Sequence, residues 1–119
     1  MKKINENSID WIPASHENPK DPGIWKKVLI KHEDADPKSK LMSVILAKVP
    51  ADRTNVAHVH ETMEEIFYFT EGEGEIKIGN EVVKIGPGDR IIVPAGKSHQ
   101  ITNTSNIELK LIGLGIALD

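Results

Sequence analysis

Five side chains near the middle of this 119-residue chain have the types and spacing for metal chemistry: His58, His60, Glu64, Glu65 and His99. Neutral imidazole nitrogens and carboxylate oxygens are ordinary ligands for divalent first-row metals. The sequence has no cysteine. Thiolate zinc sites, disulfide frameworks and cysteine nucleophiles are therefore excluded together, and any metal must sit on nitrogen and oxygen. In a β-strand, residues two apart share a face about 6.6–6.8 Å apart, so a strand over Val56–His60 lets His58 and His60 aim two imidazoles at one spot while Val59 faces away. The stretch Glu64-Glu65-Ile66-Phe67-Tyr68-Phe69 alternates so that Glu65 shares a face with Phe67 and Phe69, and Glu64 with Ile66 and Tyr68. Periodicity alone does not say which face is interior. A carboxylate on a half-buried apolar strand is costly unless paired, hydrogen-bonded or bound to metal, so one of the two has a task. His99 shares a face with Ile101 and Asn103, which sets a third imidazole among apolar neighbours.

The elements that must position these groups read as β-structure. Short apolar segments recur between turn signals at 24–31, 41–49, 56–60, 65–70, 75–78, 82–85, 90–93, 99–102 and 107–116, the spacing of an all-β sandwich or barrel. No window of a dozen residues keeps a helical apolar period without Pro or Gly, so any helix is a single short turn. Gly79-Asn80 suits a two-residue hairpin loop, since both positions tolerate positive φ. That loop pairs Ile76 with Val83 and Glu75 with Lys84, an apolar pair and an opposite-charge pair. Gly86-Pro87-Gly88-Asp89 and Pro94-Ala95-Gly96-Lys97 form two further turns, the second directly before Ser98-His99. Residues 1–23, polar and with prolines at 13, 19 and 22, read as an irregular N-terminal arm, and residues 24–119 as one domain.

The formal net charge of −3 gives no basic field, which argues against nucleic acid or an anionic membrane as partner. Met1-Lys2-Lys3-Ile4-Asn5-Glu6 has no apolar run behind it, so it does not read as a signal peptide, and no apolar run approaches the ~20 residues of a membrane span. A cytoplasmic location is the expectation. His16 and His32 lie away from the cluster and read as ordinary surface or loop residues.

Taken together and in order, these residues resemble the two motifs of the cupin family. The second motif, G-x5-P-x-G-x2-H-x3-N, is met in full by Gly88, Pro94, Gly96, His99 and Asn103. The first, G-x5-H-x-H-x3-4-E-x6-G, is met by His58, His60, Glu65 and Gly72, with Asp52 in place of its opening glycine. That departure bears on a turn and not on a ligand. The resemblance covers about residues 41–115. It implies a jelly roll, or double-stranded β-helix barrel, with one divalent transition metal ion (Mn, Fe, Co, Ni, Cu or Zn) held by His58, His60, Glu65 and His99. In octahedral coordination four protein ligands leave two positions for water, dioxygen or a bidentate organic acid or sugar-like substrate.

Two functions are consistent with such a site. One is an oxygenase, isomerase or decarboxylase, whose general acid or base would come from Glu64, Tyr68, Gln100 or Arg90; no catalytic dyad is recognisable. The other is a non-catalytic small-molecule binding or sensor module with a structural metal, since this fold hosts unrelated chemistries. Trp11, Trp25 and the strand Ile24-Trp25-Lys26-Lys27-Val28-Leu29-Ile30 put large apolar groups near the N-terminus, where an edge strand needs covering. Like the resemblance, they point to a homodimer. The competing reading has both tryptophans closing one end of their own barrel.

Overall fold

A computed structural model describes residues 2–119; Met1 of the N-terminal arm lies outside the described residues. The described residues form nine strands: β1 (Ile12–Pro13), β2 (Trp25–Lys31), β3 (Leu41–Val49), β4 (Met63–Glu71), β5 (Gly74–Ile78), β6 (Glu81–Ile85), β7 (Arg90–Val93), β8 (His99–Asn103) and β9 (Leu109–Ala117). They make a six-stranded sheet in the order β1-β2-β3-β9-β4-β7 and a three-stranded sheet in the order β6-β5-β8. Every pairing is antiparallel. This is the expected jelly roll. Among the described residues helix is limited to two three-residue 3₁₀ turns, Glu6–Ser8 and His32–Asp34.

Alternation assigns the faces. Inward-facing Ala47, Val49, Phe67, Phe69, Ile76, Val93, Ile101, Leu109 and Leu111 form one buried cluster between the sheets. Phe69, Val49, Ile76 and Leu109 have no solvent exposure at all. The β5–β6 hairpin takes the expected register, Ile76 opposite Val83 and Glu75 opposite Lys84. On β4, Phe67 pairs with Ile91 and Glu65 with Val93, whose side chains also turn inward, so Glu65 shares the core face. Glu64 and Tyr68 point outward.

The segment expected to be a strand at 56–60 is not one. It runs beside β8 but forms no ladder with it: residues 56–60 meet β8 at one isolated bridge, His58 to His99, and just before them Thr54 bridges Thr102 and Asn55 N–H donates to the Ile101 carbonyl at 3.1 Å. Its amides find other partners: the Val56 N–H donates to a Glu17 carboxylate oxygen at 2.7 Å. The ladder therefore stops after one contact at His58. Within the arm, the first 3₁₀ turn and β1 punctuate otherwise irregular chain. Trp11 sits beneath two ammonium groups of its own chain, Lys27 Nζ at 5.0 Å and Lys48 Nζ at 4.4 Å from the ring centre. Lys27 is in turn bound by the Glu6 carboxylate at 3.0 Å. Trp11 is thus covered from within, on the outer face of β2 and β3.

The motif turns hold the site-bearing segments in place. Arg53 N–H donates to the Pro50 carbonyl at 3.1 Å, closing a turn with Asp52 at φ 59°. Asp52 therefore adopts the left-handed conformation the motif glycine would supply, which short polar side chains tolerate. The turn survives the substitution. Gly72, at φ 83°, could not be replaced so simply: a Cβ there would lie 2.6 Å from the Glu108 carbonyl oxygen.

Candidate metal centre

Three separate pieces of chain deliver the cluster. His58 and His60 come from the connection between β3 and β4, Glu65 from β4, and His99 from the start of β8. Backbone bonds tie the pieces together. His58 and His99 exchange both N–H···O bonds, at 3.2 and 3.0 Å, and the Gly96 amide of the second motif's turn donates to the His60 carbonyl at 2.8 Å. Register in the two motifs is thereby coupled through the chain itself.

One ligand atom from each of His58, His60, Glu65 and His99 lies within 4.8 Å of all the others, so the group could hold a metal ion. His60 Nε2 and His99 Nε2 each stand 3.1 Å from Glu65 Oε1. That separation would suit a hydrogen bond, but the direction does not. Glu65 Oε1 and both ring nitrogens of His99 are buried without a hydrogen-bond partner. Orphaned buried polar atoms are costly, and a cation would satisfy Glu65 Oε1 together with the one His99 ring nitrogen that faces it. His58 Nδ1 lies 3.1 Å from the Val56 carbonyl; a proton there leaves Nε2 free as an acceptor. The donor set, three imidazoles and a carboxylate, fits a divalent transition metal.

Electrostatics lean the same way. Burial holds the His58 imidazole below its usual value of 6.5, opposed by the Val56 carbonyl and reinforced by His99 and His60. Burial alone would raise Glu65, but the adjoining His99 imidazole and the charges of His60, His99 and His58 outweigh it and leave the carboxyl below 4.5. Near neutral pH His58 is a neutral ligand and Glu65 an anionic one.

The cluster lies in a cavity of about 410 Å³ whose apolar wall includes Ile45, Phe67, Ile101 and Leu111. Glu64, Tyr68, Arg90 and Gln100 do not line it. Tyr68 is 45% exposed on the outer face, and the Gln100 amide donates to the Asn55 carbonyl at 2.9 Å. The acid or base candidates taken from the sequence are thus turned away from the site. Two histidines expected to be ordinary surface or loop residues line the cavity instead, His16 and His32. His32 is engaged with the Leu41 carbonyl at 3.0 Å, whereas His16 stacks on the His58 ring, centroids 5.4 Å apart and planes 29° apart. No local pattern marks His16, because it reaches the cluster through the turn of a distant arm.

Comparison with known proteins agrees with this architecture. Residues 45–115 match the cupin domain profile. An uncharacterised protein of Methanocaldococcus jannaschii is 37% identical over 70 residues, which cover 59% of this chain and 56% of that one. An oxalate-binding protein of Thermotoga maritima is 35% identical over 71 residues, 60% of this chain and 59% of that one. The matched part thus spans under two thirds of either relative. Among solved structures, a predicted oxalate decarboxylase of Thermotoga maritima superposes with a TM-score of 0.84 at 26% identity, covering 98% of this chain and all of that one. KdgF from a Halomonas species shares the fold, with a TM-score of 0.75 at 19% identity over 99% and 96% of the two chains. Profile match, strand order and the motif turns, with Asp52 keeping the left-handed conformation of the glycine it replaces, lead to one conclusion: this chain belongs to the cupin family.

Proposed function

We propose that the protein binds a small chelating organic acid, of the oxalate class, at one divalent transition metal ion held by His58, His60, Glu65 and His99. The observation that carries the reading is the convergence, within a four-residue donor set, of one ligand atom from each residue, among them the buried, unpartnered Glu65 Oε1 and one ring nitrogen of His99. A bound ion would supply Lewis acidity to a chelating oxygen. The chain's own residues supply the rest: Ile45, Phe67, Ile101 and Leu111 keep the wall dry, and the Val56 carbonyl fixes the His58 tautomer. The oxalate-binding relative supports the ligand class. Calorimetric titration of manganese-loaded protein with oxalate tests it; saturable binding is expected, and absence of binding to oxalate and related acids contradicts it.

Turnover of that acid is a second reading, favoured by the neighbour described as a predicted oxalate decarboxylase. It requires a proton-handling group inside the cavity, where His16 and Glu33 stand in place of the outward-facing candidates. Release of carbon dioxide or formate from oxalate would establish it. We take residues 24–119 as one domain preceded by the arm. We also take the functional unit as a homodimer, on the outward face of the six-stranded sheet, where Ile66, Tyr68, Ile92, Ile112 and Leu114 cluster and Tyr68 and Ile92 are each 45% exposed. Light scattering at the 13.2 kDa mass of one chain would contradict the dimer.

A further inference from the structure

The arm brings a second set of polar groups to the cavity, and its geometry is held in place. Glu17 N–H donates to the Ala14 carbonyl at 3.3 Å, closing a turn whose third residue is His16 at φ 73°. Glycine or asparagine ordinarily occupies that position. A strained backbone persists where its surroundings over-determine it, and such strain gathers at ligand sites. Here the surroundings are the Glu17 carboxylate, whose two oxygens accept from Gly23 N–H and Val56 N–H, each at 2.7 Å. Val56 is two residues from His58. Glu17 therefore fastens the turn to the segment that carries the cluster, and the His16 ring lies on the His58 ring.

Lys26 completes the set. It faces inward from β2, opposite Ala47, and its Nζ lies 3.3 Å from Ser15 Oγ, with Ser15, His16 and Lys26 all lining the cavity. Lys27, Lys48, Arg53 and Lys110 each pair with a carboxylate, but Lys26 forms no ion pair among the described residues. Lys31 and His32 add basic groups nearby, against the carboxylate of Glu33. Ser15, His16, Lys31 and Glu33 are exposed, so this side is the mouth.

We propose that Ser15, His16 and Lys26 form an anion-reading station at the mouth, which selects metal-bound acids by the charged oxygens that chelation leaves over, with Glu17 as its positioning residue. The inference rests on the proposed binding of an oxalate-class acid. A dicarboxylate that gives the metal one oxygen from each carboxylate retains two outer oxygens bearing negative charge. An ammonium, an imidazole N–H and a hydroxyl are donors suited to them, and charge-assisted bonds are the stronger kind. Oxamate has the same bite, with an amide replacing one carboxylate, and so separates charge reading from chelation.

The experiment titrates manganese-loaded wild type, Lys26→Met, His16→Asn and Glu17→Gln with oxalate and with oxamate, and measures manganese affinity separately. Methionine keeps most of the Lys26 stem, and asparagine tolerates the backbone of position 16. Lys26→Met and His16→Asn are each expected to weaken oxalate about tenfold or more, the size of one lost charge-assisted hydrogen bond. Oxamate should weaken less with Lys26→Met, and manganese affinity should stay within about twofold throughout. Glu17→Gln should lower the oxalate-to-oxamate preference, which a purely structural role would leave alone while lowering the melting temperature. Wild-type binding of oxalate with unchanged preference in all three variants overturns the station and leaves the metal-site reading standing. Failure of wild type to bind either acid overturns both.

Discussion

Replacing Glu65 by glutamine removes the single negative charge from the donor set while keeping the side chain's size. Its side chain is 14% exposed and its Oε1 is 3.1 Å from two imidazole nitrogens, so water cannot readily take its place. Loss of partners that only support a metal ligand costs ~10–100-fold in affinity, and a direct charged ligand belongs at least at ~100-fold. A metal present at about 1,000 times its Kd stabilises the folded state by about 4.1 kcal/mol. In a chain of 119 residues each kcal/mol moves Tm by roughly 4 °C, so the metal should raise wild-type Tm by roughly 16 °C. At the same metal concentration Glu65→Gln stands near 10 times its Kd, worth about 1.4 kcal/mol or roughly 6 °C. Glu64→Gln, one residue along and on the outer face, should keep the full increment. The assay is thermal melting of each variant with chelator and with metal, reading only the increment over its own metal-free form. A full increment in Glu65→Gln, or its loss in Glu64→Gln, would refute the assignment of faces on β4.

Other consequences follow from the same geometry. Asn103, 1% exposed, donates to the Val49, Pro50 and Ile107 carbonyls at 2.9, 3.2 and 2.7 Å and accepts from Ser105 N–H at 2.9 Å; Asn103→Ala should cost about 3 kcal/mol in urea unfolding through the groups left unpaired. Trp11→Ala removes the ring shared by Lys27 and Lys48 and should cost about 2 kcal/mol, from lost burial and cation–π attraction, with metal affinity unchanged by titration. Because His58 is held below 6.5 when folded, acidification through that value protonates the unfolded chain first, so metal-free stability should fall as pH drops below 6.5 and recover above it. Glu65 behaves likewise at lower pH: its contribution is present above 4.5 and is lost as pH falls through its lower folded value. Melting in chelator across about pH 2 to 8 checks both signs.

Local chemistry explains what could be read in advance. Gly79-Asn80 dictates a two-residue loop, and the loop dictates the register of β5 and β6. That His58, His60, Glu65 and His99 come together was legible because motif spacing reflects turns and strands that the chain does form. What escaped was long-range. His58 and His60 were to share a strand face, yet the chain there is held by Glu17, 39 residues before Val56, and by His99. His16 gave no local sign, since its place depends on a turn clamped from two sides. Trp11 finds its cover in Lys27 and Lys48 of β2 and β3, a contact no periodicity announces. The outward turn of Glu64, Tyr68 and Arg90 required the pairing of β4 with β7 and β9.

The central claim concerns four side chains and one ion. Elemental analysis of protein purified without a metal-affinity tag, before and after incubation with Mn, Fe, Co, Ni, Cu or Zn, tests it most directly. The account predicts one equivalent of a divalent transition metal per chain in wild type and its loss in His99→Ala. A wild-type chain that retains none of these metals, or a His99→Ala chain that retains a full equivalent, would contradict it.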